Sequence, residues 1–342
     1  MTDKTQTKAV SNAPLTDGEF AEKYNRGHKI IDFVGHKKIF FGISLAILVI
    51  GVICNIFLGT KLDIQFTGGA VIRYSYNGTI QQEDVEQIVK DASGKDVSVR
   101  IHEDMSTVND PTQANNSASI SFAGTDSISL DQQQSIATAL DEKYPDANFE
   151  VVESNSVNPT MGQSFLLKCA IAVLIAFVLL LIYVGFRFRK IGGVTAGLMS
   201  IVALLHDVLI VYFVFVAFQM PINDSFMAVV LTILGYSLNN TIIIYDRIRE
   251  NRRLMGPKTS YADLVDTSIN QTLTRSIYTS LTTFVAIAAV FVVGSIYGLT
   301  SVTTFALPMM VGIVAGCYSS VCIAGPLYVA WEERKEKKSV PA

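Results

Sequence analysis

The chain has 342 residues, half of them hydrophobic and only 17% charged, with a mean hydropathy of +0.38. Soluble domains carry about one quarter charged residues, so this composition argues against a soluble enzyme. Four cysteines and four histidines leave little material for a disulfide framework or a multi-histidine metal centre, and a net charge of -3 gives no electrostatic footprint for nucleic acid.

Residues 1–38 are polar and carry seven Lys and Arg. The apolar run 39–58 that follows has about the 20 residues an α-helix needs to cross a hydrocarbon core. It is longer than the core of a signal peptide and no small-residue cleavage pattern follows it, so it reads as an uncleaved transmembrane anchor. Cys54, preceded by the bulky Ile53, reads as a packing cysteine rather than a lipoprotein site.

Residues 59–164 carry 16 acidic and 6 basic side chains and read as an acidic soluble domain. "AVIRYSY" (70–76) is strand-like, "QEDVEQIVKDA" (82–92) places Val85, Ile88 and Val89 at helical spacing, and "DVSVRIH" (96–102) alternates. After a turn-rich stretch (104–118) come "SISFAG" (119–124), a helix from Leu130 to Tyr144 begun by Ser129 or Asp131, and "NFEVVES" (148–154). The order is β-α-β-β-α-β, a split ferredoxin-like α+β arrangement. Asn77-Gly78 reads as a turn, and so does the neighbourhood of Asn116. His102 is the domain's one histidine and no catalytic constellation emerges; the acidic surface suits transient holding of an unfolded or basic chain.

Five more apolar runs follow, at 165–186, 194–218, 224–245, 276–297 and 302–331, the last longer than one crossing. The expected fold is therefore a membrane protein of six transmembrane α-helices, with the α+β domain between helices one and two. Lys and Arg gather in the 1–38 tail, the turn at 187–190, the 246–275 segment and the 332–342 tail, whereas the turns at 219–223 and 298–301 carry none. Positive residues stay on the cytoplasmic side, so both termini are expected in the cytoplasm and 59–164 outside. Cys169, Cys317 and Cys322 fall inside spans, which leaves the outer domain without a disulfide.

Ionisable groups inside a span cost about 2.5 to 3.5 kcal/mol to insert, so each is a functional candidate. Asp207, after His206 in the middle of span three, is the clearest, either handling protons or forming a structural pair. In span four Thr232, Gly235 and Asn239 share one helical face, with Ser237, Asn240 and Thr241 beside it. Span five opens with a stripe of Arg275, Tyr278, Thr279, Thr282 and Thr283. Such stripes line a hydrated path or bond neighbouring helices; for Arg275 the alternative is snorkelling to the interface. Gly312, Gly316 and Ser320 in span six permit close helix approach. Asp246, Arg247, Arg249 and Glu250, just after span four, form an interfacial anchor or a hinge. There is no Walker A pattern, no H-E-x-x-H and no nucleophile with a base, so no enzyme, cofactor or metal is expected.

Several of these stretches carry a resemblance: "LDIQFTGG" (62–69), "VNPTMGQSF" (157–165), "LLHDVLIV" (204–211), "GYSLNNTIIIYDRIREN" (235–251), "TLTRSIYTSLTT" (272–283) and "GIVAGCYSSVCIAGPL" (312–327). In this order the chain resembles the SecD/SecF family of protein-export membrane proteins, on its SecF side. The resemblance implies half of a resistance-nodulation-division type fold in the bacterial plasma membrane. It implies pairing with SecD beside the SecYEG translocon, SecA and YidC as indirect partners, unfolded preprotein as cargo, a lipid bilayer around it and no nucleic acid. Export would be promoted by the proton-motive force. The family's span-five arginine falls on Arg275, and its span-four aspartate falls on Asn240, whose amide cannot take up and release a proton. The partner's carboxylate then carries the load, or Asp207 substitutes, or coupling uses something other than protons; the first is favoured. Asp207, Arg275, Asn239 and Asn240 are thus the ion-coupling candidates. Gly235, Gly312, Gly316 and Ser320 are the packing candidates, and Gly68, Gly69, Pro159 and Gly162 mark the junctions of the outer domain. Two other functions stand beside this one, a purely structural translocon subunit and a small-molecule or lipid exporter of the same superfamily.

Overall fold

The computed structural model describes Asn25 and residues 30–95, 97–102, 116–123, 128–157, 159–256, 259–297 and 299–339. The first span is α1 (Lys37–Leu58). A short helix α2 (Ile64–Thr67) leads to β1 (Gly69–Tyr76), α3 (Gln82–Ser93), β2 (Val97–His102), β3 (Asn116–Ala123), α4 (Leu130–Lys143) and β4 (Glu150–Val157). The chain then returns through α5 (Pro159–Arg187), α6 (Gly193–Ala217), α7 (Asp224–Met255), α8 (Tyr261–Ile296) and α9 (Thr300–Ser319). A π-helical turn over Ser320–Ala324 joins α9 to α10 (Gly325–Ser339). Among the described residues, six helical stretches are long and apolar enough to cross a membrane.

The segment between the first two spans is the α+β unit expected there. Its sheet has the order β2-β3-β1-β4, every neighbour antiparallel. Alternation decides which face is covered: Ala70, Ile72, Tyr74 and Tyr76 of β1 and Ala118, Ile120 and Phe122 of β3 are buried. They pack with Val85 and Val89 of α3 and Ile136 and Leu140 of α4. The intervening Val71, Arg73 and Ser75 lie on the other face, where Arg73 meets Glu153 at 3.1 Å. Of the two candidate caps for α4, Ser129 is the one used: it accepts from Gln132 N at 3.3 Å and its own N–H donates to Gln132 Oε1 at 3.2 Å, a capping box. Gly78 turns at φ +81°, and its carbonyl accepts from Asn116 Nδ2 at 2.8 Å; Asn116 is not in a turn but opens β3, which begins three residues before the expected strand. Most of the turn-rich stretch, 104–115, lies outside the described residues.

Several helices run past their apolar stretches. α7 and α8 have 32 and 36 residues, about 48 and 54 Å at 1.5 Å per residue, against a hydrocarbon core of about 30 Å. The polar 246–275 segment is therefore mostly helical, with α7 ending at Met255 and α8 beginning at Tyr261. Its apolar residues fall every three or four positions, and Ile248, Leu264, Val265 and Ile269 are buried between the two extensions. The last apolar run is broken at Ser320–Ala324. Pro326, second in α10, has no N–H to return to the preceding turn, and the π turn absorbs the change of register.

α6 lies at the centre of the bundle, with fifteen buried residues, while α1 buries only Ser44 and Gly51. At the end facing the sheet, Ile222 N donates to Lys61 O at 2.8 Å and Asp63 N to Ile222 O at 3.0 Å, so the strand-like link after α1 is strapped to the α6–α7 turn. Phe66 of α2 then enters the bundle, stacked on Phe165 at 5.5 Å among Val211, Phe215 and Ile222. Gly68 and Gly69, at φ +76° and +145°, supply the backbone turn into β1 that side-chain-bearing residues rarely adopt.

Candidate functional site

The polar groups inside the bundle converge on Asp207, which has no exposed surface. Its Oδ2 accepts hydrogen bonds from Ser237 Oγ of α7 at 2.6 Å and from Ser319 Oγ of α9 at 2.7 Å. His206 Nδ1 lies 3.1 Å from Oδ1. Beside this knot Ser320 Oγ reaches Thr241 Oγ1 at 3.0 Å, Ser237 O at 3.2 Å and Gly316 O at 2.7 Å. The close approach depends on glycine: a Cβ on Gly316 would stand 2.9 Å from Ser237 Cβ, and one on Gly312 2.6 Å from Ile233 Cδ1. The two hydroxyl donors suit an ionised carboxylate, and the imidazole joins them in the tautomer that carries its proton on Nδ1. Because a hydroxyl both donates and accepts, either serine can turn to receive the proton of a neutral carboxyl without losing a bond. The site thus holds Asp207 in either protonation state.

Asn240, also without exposed surface, has neither amide atom in a hydrogen bond among the described residues. Ser276 Oγ of α8 is likewise buried without a partner. Tyr236 donates to Ser280 at 3.1 Å, and in an antiparallel hairpin one turn on from that pair places Asn240 level with Ser276. Asn239, Thr232 and Gly235 face outward from the chain, as do Arg275, Tyr278 and Thr282 of α8. An added Cβ on Gly235 meets nothing within 4 Å, so among the described residues this glycine packs against no other helix.

Beyond the apolar zone, Asp246 pairs with Arg187 of α5 at 3.0 Å and with Arg249 at 2.9 Å, and Arg247 pairs with Glu250. Arg247 also donates to Gln271, which accepts from Asn251 at 2.8 Å. These residues tie α5, α7 and α8 together. At the junction between the sheet domain and the second span, Pro159 opens α5 and Gly162 lies in its first turn.

A family model described as protein export membrane protein SecD/SecF, C-terminal, matches residues 136–334. The chain belongs to the SecD/SecF family. A protein translocase subunit SecF from Sebaldella termitidis is 33% identical over 274 residues, 79% of this chain and 81% of that one. A protein translocase subunit SecDF from Bacillus subtilis is 33% identical over 90% of this chain, which spans 39% of that longer protein. The crystal structure of SecDF from Thermus thermophilus, titled a translocon-associated membrane protein, matches with a TM-score of 0.74 and 28% identity, over 89% of this chain and 39% of that one. This SecD/SecF chain is therefore a multi-pass membrane protein with the architecture of part of SecDF, and its relatives are named as translocase subunits.

In this SecD/SecF member the sequence reasoning overlooked Asp266 and Asn270. Asp266 Oδ1 accepts from Phe33 N at 2.9 Å and Val34 N at 3.1 Å. Asn270 exchanges bonds with Ile31, Oδ1 accepting from its N–H and Nδ2 donating to its carbonyl, both at 2.9 Å. The segment before α1 is thereby clasped to α8. The available signal was the i, i+4 spacing of Asp266 and Asn270 beside apolar Leu264, Val265 and Ile269, hidden once 246–275 was treated as a connection. Ser319 was hidden by the stripe containing its neighbour Ser320.

Proposed function

We propose that this chain is the SecF-type half of a translocation subunit, pairing with SecD beside the SecYEG translocon and using the proton-motive force to promote preprotein export. The observation that carries this reading is the outward polar face of α7 and α8, with Thr232, Asn239, Tyr278 and Thr282 exposed within two apolar helices. Polar groups at membrane depth need protein or water against them, and a second six-span unit supplies both. Coverage of only about two fifths of the SecDF chains supports the same pairing.

In this reading both termini, with the 1–38 and 332–342 tails, are cytoplasmic and the acidic 59–164 domain is outside, where it holds emerging preprotein. Gly68 and Gly69 at one junction and Pro159 and Gly162 at the other let it move. SecA pushes from the cytoplasm, and both SecA and YidC act on this subunit only indirectly. Asp207 is the protonatable group inside the chain, and Arg275 and Asn239 face the partner's carboxylate. The buried amide of Asn240 favours a second reading, a subunit that stabilises the translocon while its partner carries all the coupling.

Preprotein export into inverted membrane vesicles at saturating ATP, with and without a proton gradient, separates the two. With coupling in this chain, Asp207→Asn or Arg275→Met removes the gradient-dependent component and leaves the ATP-driven component in place. Asn240→Asp leaves the gradient response intact or raises it. If the response survives every substitution and disappears only with the whole chain, the structural reading holds.

A further inference from the structure

The extensions of α7 and α8 enclose a cleft of about 600 Å³ whose charged lining is Asp246, Arg247, Arg249, Glu250, Arg253 and Arg275. Four guanidinium groups thus face two carboxylates, and the carboxylates are already engaged, Glu250 by Arg247 and Asp246 by Arg249 and Arg187. Arg253 and Arg275 are exposed and take part in no ion pair or hydrogen bond among the described residues. The cleft therefore holds two uncompensated positive charges, with planar donor forks suited to oxyanions.

Its depth identifies the source of the oxyanion. The apolar run of α7 ends at Ile242, Ile243, Ile244 and Tyr245, immediately before Asp246, and that of α8 begins at Ile277, two residues after Arg275. Arg275 therefore stands at the boundary between apolar and polar helix surface, the level of phospholipid headgroups, and Arg253, seven residues past Asp246, lies about 10 Å farther along α7 on the polar side. Directly toward the apolar side, Ile277 and Leu281 are 47% and 52% exposed, a surface for an acyl chain below the cleft. A free phosphate would use the arginines and leave that surface unused.

We propose that this cleft is a binding site for the phosphate of an anionic phospholipid, with Arg253 and Arg275 as its two principal ligands and Arg247 and Arg249 as its walls. Arg275 stands where the cleft meets the outward polar face of α7 and α8, so the lipid lies at the edge of the proposed seam with SecD. Arg275 belongs to both readings, whereas Arg253 has no part in proton coupling, so the Arg253 variants test the lipid site apart from it.

The test is native mass spectrometry of the full chain in detergent, with phosphatidylglycerol or phosphatidylcholine added at matched concentration. Phosphatidylglycerol is expected to remain bound and phosphatidylcholine to be lost. Each arginine near a charged headgroup contributes about fivefold in affinity, so Arg253→Gln should weaken retention about fivefold and Arg253→Gln with Arg275→Gln about 25-fold. Arg253→Lys should restore most of the loss of the single variant. An unchanged melting temperature of the variants shows that lost retention is not lost folding. Equal retention of both lipids, or full retention by the folded double variant, overturns the proposal. So does displacement of the lipid by millimolar inorganic phosphate, which assigns the cleft to a soluble anion. Loss of phosphatidylglycerol from the complex with SecD, while the isolated chain retains it, also overturns it and assigns the arginines to carboxylates of the partner.

Discussion

Asp84 opens α3, where an acidic side chain is favoured by the helix N-terminus, but the tertiary contact that matters lies 59 residues on, with Lys143 Nζ at 3.1 Å and Tyr144 OH at 3.2 Å. The hydrogen bond from Lys143, then that from Tyr144, holds the Asp84 carboxyl below the ordinary carboxylate range. A carboxyl with a lowered folded pKa contributes stability that is complete above its unfolded value and lost as pH falls through the folded one. Acid melts of the full chain, followed by circular dichroism, should therefore show wild type losing this contribution below about pH 4. Asp84→Asn should show a smaller fall in melting temperature over that interval. Equal falls would mean that the contact does not link α3 to α4. Asn240 was legible only in its departure from the family motif. That its amide finds no hydrogen bond among the described residues, level with Ser276, follows from how α7 meets α8, and no pattern within either helix contains that.

At the scale of elements, the apolar runs and the alternating strands determined most of what folded, because burial reads periodicity directly. The helical extensions did not stand out, since α7 and α8 leave the membrane as polar helices and only a narrow stripe, Ile248 against Leu264, Val265 and Ile269, is apolar. The meeting of α7 and α9 turns on glycines that look alike in sequence and differ in the fold. Gly235 and Gly316 both lie inside helices, where alanine is favoured by about 1 kcal/mol. At Gly235 the added methyl meets nothing, so Gly235→Ala should raise the melting temperature of the purified chain slightly. At Gly316 it meets Ser237 Cβ at 2.9 Å and Ser237 Cα at 3.4 Å. Gly316→Ala should therefore cost about 1 to 3 kcal/mol through overpacking and pull Ser237 and Ser319 away from Asp207. Differential scanning fluorimetry of the two variants checks the contrast, and a gain at both positions would mean that α9 does not lie so close to α7.

At the scale of the whole molecule, burial is lopsided: more than half of the apolar window of α6 lies inside the protein, and none of that of α5. An exposed apolar helix such as α5 needs only lipid, which offers the same environment as a packed apolar neighbour. The exposed polar residues of α7 and α8 find no such substitute in lipid, so the two outward faces should have different neighbours. A photo-activatable benzophenone side chain in place of Asn239 or Tyr278 should, in membranes containing SecD, yield an adduct with the combined mass of the two chains. The same group in place of Leu174, 63% exposed on α5, should yield lipid adducts only. If position 174 captures SecD and positions 239 and 278 do not, the seam lies on the apolar side, and the polar stripes face water within the bilayer rather than a second set of spans.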